Sequence, residues 1–472
     1  MKYTILHISD IHKSKDVQYN SLLQSLKKDL DTYVNEEGIQ KPSFIVVSGD
    51  LIQGAYTDAE IRQQYNDVEE FLIGICKMYL DKDRSRMVIV PGNHDVNRAA
   101  SKASLLPSSK GYNVCKDDFF NGSDAIRWSW SDDKFYEIQD LSLYEKRFDL
   151  FVEFYDRFYD GIRCYPQKHE TDAYTIVNDK YKVCFACFNS CNHLDHLCDT
   201  GCISQDAIIS VGPVLNECYN AGYLNIAVWH HNLYGRPLAT NYLDRSLLGD
   251  LLCNDVHIGL YGHQHFTQIA EEYSDLLLSK DEATQKLLLI SAGTLFGGKR
   301  ELSDGDRRQY NVIEVNVGDG IADIDINIRE DINRNPYNKI PHWATKALPN
   351  SSNKIHYQVK LRKLSLNEQV LNIDKKARLT SDYIEACEAL KEIEAETGEN
   401  MSRFIKAYLK EIKDYEYVLN NIREVEGPED AILMIVAAKE SGSKFWIDKV
   451  SQDERIKNLK DPLVSNMLQT LK

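Results

Sequence analysis

Five short clusters in this chain combine carboxylate, imidazole and amide side chains at spacings that suit a metal. They are Asp10-Ile11-His12, Gly49-Asp50, Gly92-Asn93-His94-Asp95, His230-His231 and Gly262-His263-Gln264-His265. The donors are oxygen and nitrogen, with no thiolate, which suits hard or borderline divalent ions. Manganese is the expected ion, with iron or zinc as alternatives. Asp10, His12, Asp50, Asn93, His230, His263 and His265 are too many for one ion. Two ions about 3.5–4 Å apart, sharing Asp50 as a bridge, would use all seven.

Each cluster follows a short apolar segment that reads as a β-strand: Thr4–Ile8, Phe44–Val47, Met87–Val90, Asn225–Val228 and His257–Tyr261. Helical spacing at Asn20–Val34 and Glu60–Leu80 separates the first three. Strand–helix alternation of this kind predicts right-handed crossovers and a largely parallel sheet. The clusters then stand at the C-terminal ends of the strands, the edge where open α/β sheets place their sites. In an extended segment residues i and i+2 point the same way. On that reading Asp10 with His12, and His263 with His265, each aim two groups at one place. The glycines before Asp50, Asn93 and His263 allow tight turns and close backbone approach. Any one cluster alone says little, and a histidine pair is more often a core residue beside an exposed one. The ordered recurrence at five strand ends carries the signal.

In that order the clusters resemble the signature of the calcineurin-like metallophosphoesterase superfamily: Asp-x-His, Gly-Asp, Gly-Asn-His-Asp or Glu, His, and Gly-His-x-His. The resemblance covers about residues 1–330 apart from an insertion. It implies an αββα two-sheet sandwich, with Asp10, His12 and His265 on one metal and Asn93, His230 and His263 on the other. Asp50 would bridge them. His94 would stand over the phosphoryl group, stabilising charge or protonating the leaving oxygen, and Asp95 would orient His94. Many relatives follow the histidine pair with prolines, where this chain has Asn232-Leu233-Tyr234-Gly235-Arg236-Pro237. That leaves His231 as the alternative to His230, the first residue after the strand and the favoured ligand. The implied chemistry is hydrolysis of a phosphate ester by hydroxide formed between the two metals. Phosphodiesters are expected, because the spacing in the first half is most similar to the cyclic-nucleotide and nuclease branches. A phosphomonoesterase, a DNA or RNA nuclease and a binding scaffold without activity are the alternatives. A nucleotide or nucleic acid is among the expected substrates.

Residues 101–170 interrupt the alternation and are rich in Trp, Phe and Tyr. There Ser142 and Glu145 form a capping-box pattern. Tyr144, Phe148, Phe151, Tyr155 and Phe158 repeat at helical spacing, with Gly161 as C-cap. Such a stripe could stack bases, but as a rule it docks a helix on the body. Tyr174–Val177 and Lys182–Phe188 read as a hairpin. Cys184, Cys187, Cys191, Cys198 and Cys202, with His193 and His196, read as buried or free thiols rather than a zinc site. Three positions apart in a strand, Cys184 and Cys187 face opposite sides. Lys13, Arg98, Arg236, Lys299 and Arg300 lie near motif loops or the Gly297-Gly298 turn, each more simply an exposed charge.

The catalytic domain is expected over 1–335 and a mostly helical module over 340–472, a place for a protein partner or oligomer contact. Lys and Arg total 56 against 72 Asp and Glu, a formal charge of −16. Such a charge argues against a long duplex groove. No apolar run is long enough for a membrane helix, and Met1–Asp10 is too short and polar for a signal peptide. Eleven unevenly spread cysteines fit a reducing cytoplasm.

Overall fold

The structure, a computed structural model, describes residues 1–12, 19–123, 125–166, 173–233, 241–273, 286–296, 302, 306–318, 320–335, 340–348 and 352–471. Lys13, Arg236, Lys299, Arg300, Gly297-Gly298, the 234–240 loop and the end of the insertion at 167–170 lie outside the described residues. The chain divides into two units, Met1–Lys363 and Leu364–Lys472.

The first unit begins with β1 (Lys2–Ile8), α1 (Tyr19–Asn35), β2 (Phe44–Ser48), α2 (Asp58–Tyr79) and β3 (Met87–Val90). The insertion supplies α3 (Arg98–Ser104), β4 (Leu105–Pro107), α4 (Tyr112–Phe120), β5 (Ile126–Ser129), β6 (Lys134–Ile138), α5 (Leu141–Glu145) and α6 (Asp149–Tyr159). Then follow β7 (Ala173–Asn178), β8 (Val183–Phe188), α7 (Gln205–Asn220), β9 (Leu224–Val228), α8 (Ser246–Cys253) and β10 (Ile258–Tyr261). The unit closes with β11 (Ile269–Tyr273), β12 (Lys286–Ser291), β13 (Gln309–Val317), β14 (Ile321–Asp331), β15 (Trp343–Thr345) and β16 (Ile355–Lys360).

One sheet runs β15-β14-β13-β1-β2-β3, with β16 also paired to β14. Within it β1, β2 and β3 are parallel and β13 is antiparallel to β1. The second runs β11-β12-β10-β9-β8-β7, parallel from β8 through β9 and β10 to β12. Period-two alternation divides the side chains. Tyr3, Ile5, Phe44, Val46, Val88 and Val90 meet Phe185, Ile226, Val228, Leu260 and Ile290 in one apolar layer between the sheets. Leu6, Ile8, Ile45, Val47 and Ile89 face outward into a cluster with α1, α2 and α6. Ala186, Ala227 and Trp229 do the same with α7 and α8. This is the expected αββα sandwich. Cys184 faces the outer layer and Cys187 the inner one, as their spacing predicts.

Two expectations need correcting, and the insertion holds more than its expected helix. The module boundary placed at 335–340 moves to 363, because β15 and β16 add to the first sheet by pairing with β14. The insertion carries a three-stranded sheet, β4-β6-β5, as well as helix. Its expected helix is split into α5 and α6 by a 3-10 turn at Lys146–Phe148. The N-cap of α5 is Asp140, whose carboxylate accepts from Leu143 N and Ser142 Oγ. At the far end Asp160 takes the left-handed C-cap and Gly161 follows it. The aromatic stripe is buried, and Phe151, Tyr155 and Phe158 sit in the core beneath the first sheet.

A buried histidine sets an acid limit on this unit. His257 Nδ1 accepts the Asn225 N–H at 3.0 Å, and burial pushes the imidazole down to about 4. Below about pH 6.5 the unfolded chain gains a proton that the folded chain refuses, so stability falls with falling pH until about pH 4. The expected loss is about 3 kcal/mol. Urea unfolding of His257→Asn at several pH values checks this. The variant should lose that part of the pH slope, and an unchanged slope would sink the assignment.

The second unit holds eight helices among the described residues: α9 (Leu366–Thr380), α10 (Tyr383–Thr397), α11 (Ser402–Leu409), α12 (Tyr415–Asn421), α13 (Pro428–Ser441), α14 (Lys444–Gln452), α15 (Glu454–Lys457) and α16 (Pro462–Thr470). Cys387, Leu390 and Ile393 of α10 pack with Ile405, Tyr408 and Leu409 of α11. Gly398 ends α10 in the left-handed region. Among the described residues no helix is long and apolar enough to cross a membrane.

Candidate metal centre

The C-terminal ends of β1, β2, β3, β9 and β10 bring the sequence clusters together. Their ligand atoms form three groups: Asp10, His12 and His265; His12, Asp50 and His94; and Asp50, His230 and His263. In the first, Asp10 Oδ1 lies 3.5 Å from His12 Nε2 and 3.3 Å from His265 Nε2. The two imidazole nitrogens are 3.3 Å apart. In the third, His230 Nε2 stands 3.2 Å from Asp50 Oδ2 and 3.3 Å from His263 Nδ1. Asn93 Oδ1 joins it at 3.0 Å from His230 Nε2 and 2.9 Å from His263 Nδ1. Asp50 Oδ2 is also 3.4 Å from His12 Nε2, so this carboxylate stands between the two groups. The first and third groups each draw ligands from both sheets.

The backbone there is not extended. Asp10, His12, Asp50, His263 and His265 have φ of 52°, 33°, 53°, 71° and 65°. That overturns the i, i+2 reading, since both members of each pair sit in the left-handed region. Non-glycine residues held there cost on the order of 1–3 kcal/mol each and persist only where the surroundings fix them. Main-chain hydrogen bonds do the fixing, from Asp10 N to Gly49 O, Ile11 N to Asp50 O, Leu295 N to Ser9 O and Thr294 N to His265 O. Two motif glycines make the approach possible. A Cβ on Gly92 would stand 2.1 Å from Asp50 N, and one on Gly262 1.9 Å from Ser9 Oγ.

Electrostatics test whether cations fit. His230 Nδ1 lies 2.8 Å from Ser48 O, so its proton is committed there. A neutral His230 then aims a lone pair at Asp50 Oδ2 and Asn93 Oδ1. Lone pairs converging at this separation repel unless a positive charge lies among them. Burial alone would lower His230, but the charge and hydrogen bond of Asp50 push it up to about 9. The pocket thus favours a cation at that point. Burial acts to raise Asp50, yet the charges of His230, His94 and His12 hold it well below the usual carboxylate range. Burial and neighbouring His230 bring His263 down to about 4, which keeps it a neutral donor. Asp10 Oδ1 is buried and takes no hydrogen bond among the described residues, a second orphaned lone pair at the first group. The residues fit two divalent ions.

His231 belongs to none of these groups. Its Nδ1 pairs with Ser190 Oγ at 2.9 Å, and that oxygen also accepts the N–H groups of His230 and His231. His230 is the member of the pair turned into the cluster. His94 packs edge-on to His12, ring centroids 4.6 Å apart, and its backbone N–H donates to Asp50 Oδ1. Asp95 does not orient it. Its carboxylate accepts from Gly92 N, Leu51 N and Tyr65 OH, tying the β2 and β3 loops together. Burial and the charge of Asp50 raise Asp95 to about 7. The partner at His94 Nδ1 is the carbonyl of Gln53, 2.9 Å away, a main-chain acceptor that no sequence motif marks. Asn241 was also missed, its amide 2.9 Å from His263 Nε2. Arg98 is paired with Asp199. Among the described residues, none of the cysteines joins a metal-type group.

A family model described as calcineurin-like phosphoesterase matches residues 3–266. A DNA polymerase II small subunit from Methanocaldococcus jannaschii is 28% identical over 115 residues, 21% of this chain. The match spans only 18% of the length of that curated relative. Among solved structures, the chain is similar to a dimetal phosphatase from Danio rerio. The identity is 10%, with 76% of this chain and 99% of that one covered at a TM-score of 0.36. It is also similar to the calcineurin-like phosphoesterase YfkN from Bacillus subtilis, at 12% identity, 81% and 99% coverage and a TM-score of 0.27.

Proposed function

We propose, from the premise that this chain belongs to the calcineurin-like phosphoesterase family, that it hydrolyses phosphodiester bonds at a two-metal site. The observation that carries the reading is the convergence of buried lone pairs on either side of Asp50. Asp10, His12 and His265 would hold one ion, Asn93, His230 and His263 the other, and Asp50 would touch both. Bound divalent ions, manganese in this reading, would lower the pKa of a water and offset charge on the phosphoryl oxygens.

The chain's own residues do the rest. Asp50 stands beside the imidazoles of His12 and His230 and balances the charge of these two and of His94. His94, tethered through Nδ1, presents its other ring nitrogen to the phosphoryl group or leaving oxygen. The choice of diester over monoester rests on the motif spacing in the first half. Eleven cysteines, unevenly spread along the chain, suit a reducing compartment such as the cytoplasm. Phe445 and Leu463, both exposed on the helical unit, support a partner or a second copy binding there.

Hydrolysis of bis(p-nitrophenyl) phosphate beside p-nitrophenyl phosphate, with and without manganese, tests the reading. The diester should be the better substrate, and chelation should abolish its turnover until manganese is restored. Turnover of the monoester alone would replace this function with a phosphatase. Silence on both, without metal binding, would leave a scaffold.

A further inference from the structure

We propose that Gln64 is the positioning residue for His94, acting through the main chain of Gln53 and Gly54. The inference rests on the phosphoesterase reading of His94 given above. A carbonyl oxygen only accepts, so the 2.9 Å contact with Gln53 O places the proton on His94 Nδ1. Nε2 is the nitrogen left to meet substrate. The direction of the ring is therefore set by where the Gln53 peptide stands.

That peptide lies in the irregular segment between β2 and α2, where nothing in the local backbone pattern fixes a carbonyl. Gln64, half-buried on the second turn of α2, supplies the constraint. Its Oε1 accepts the Gln53 N–H at 3.0 Å, and its Nε2 donates to Gly54 O at 3.1 Å. One planar amide thus grips two successive residues. Its neighbour Tyr65 donates to Asp95 Oδ1 at 3.1 Å, while Asp95 Oδ2 accepts from Leu51 N and Gly92 N. Two adjacent residues of one helix turn therefore hold the loops on both sides of His94. The helix is itself anchored, since Ile61, Tyr65 and Val68 are core residues.

Only an amide can do this. It needs an acceptor and a donor on one planar group. Glutamate keeps the acceptor but turns a second oxygen towards Gly54 O, and alanine supplies neither.

The test uses the full chain with Gln64→Ala and Gln64→Glu. In protein labelled with nitrogen-15 histidine, the His94 Nδ1–H resonance is assigned by its loss in His94→Gln. In both Gln64 variants it should shift or broaden into exchange with water, with the other histidine resonances in place. With manganese, kcat should fall about 10-fold for bis(p-nitrophenyl) phosphate and about 100-fold for diphenyl phosphate, whose leaving group needs more help. KM should stay within about twofold, since ground-state binding is untouched. An unmoved His94 resonance with unchanged kcat would overturn the proposal. So would a general shift of the histidine resonances with a lowered Tm, which would make Gln64 a prop of the fold. Should the wild type turn over neither diester, the proposed activity fails while the resonance still decides the clamp.

Discussion

Asp50→Asn is expected to lower turnover of bis(p-nitrophenyl) phosphate at least about 1,000-fold, roughly 4 kcal/mol of transition-state stabilisation. The size follows from the position of one side chain. Asp50 Oδ2 is 3.4 Å from His12 Nε2 and 3.2 Å from His230 Nε2, while Oδ1 accepts the His94 N–H at 2.8 Å. Asparagine is nearly the same shape but brings no charge. Whichever way its amide is turned, an N–H faces another donor or an ion. His230 would also lose the charge that raises it, so its proton would leave at a lower pH. Metal content by mass spectrometry, beside activity and a melting curve, separates the causes. A folded variant with less metal and little turnover is the expected result. Activity within about tenfold of wild type would mean that Asp50 bridges nothing.

The second large effect lies at the other face of the first sheet. Arg329 of β14 is fully buried and donates through Nε to Asp29 Oδ2 at 2.9 Å and through a terminal nitrogen to Glu37. Tyr310 OH also donates to Asp29, and Asp29 sits on α1. Arg329→Met removes the cation and leaves the buried Asp29 without its charge partner. Breaking such a pair costs about 3–5 kcal/mol, so the midpoint in urea should drop well below that of the wild type. Adding Asp29→Leu should recover much of the loss, because the stranded charge is gone. A single variant as stable as wild type would show that the buried pair carries no stability.

The sequence was most legible where side chains act directly. Short apolar runs ending in Asp, His or Asn marked the strand ends, and Gly92 and Gly262 marked the close approaches. The sign of φ at Asp10 or His265 left no trace, because a left-handed aspartate or histidine looks like any other. Gln53 was invisible for a related reason: every residue has a carbonyl, and only the fold says which one meets His94. The family resemblance assigned Asp95 to orienting His94, whereas its carboxylate turns back to knit two loops. β15 and β16 were hidden by length and by their distance from the alternating part of the chain. The aromatic stripe from Tyr144 to Phe158 was readable because helical spacing shows burial without naming its partner.

His12 and His265 meet in space although 253 positions separate them in the chain. On the ribosome the strands around His12, Asp50 and His94 are made early, yet the groups that need His263 and His265 do not exist until that far segment has emerged. A nascent chain stopped at residue 260 would carry Asp10, Asp50 and His230 with nothing to complete either pocket. The two pockets proposed for the ions would therefore be complete only late in the synthesis of each molecule, once both sheets have been made and have found each other.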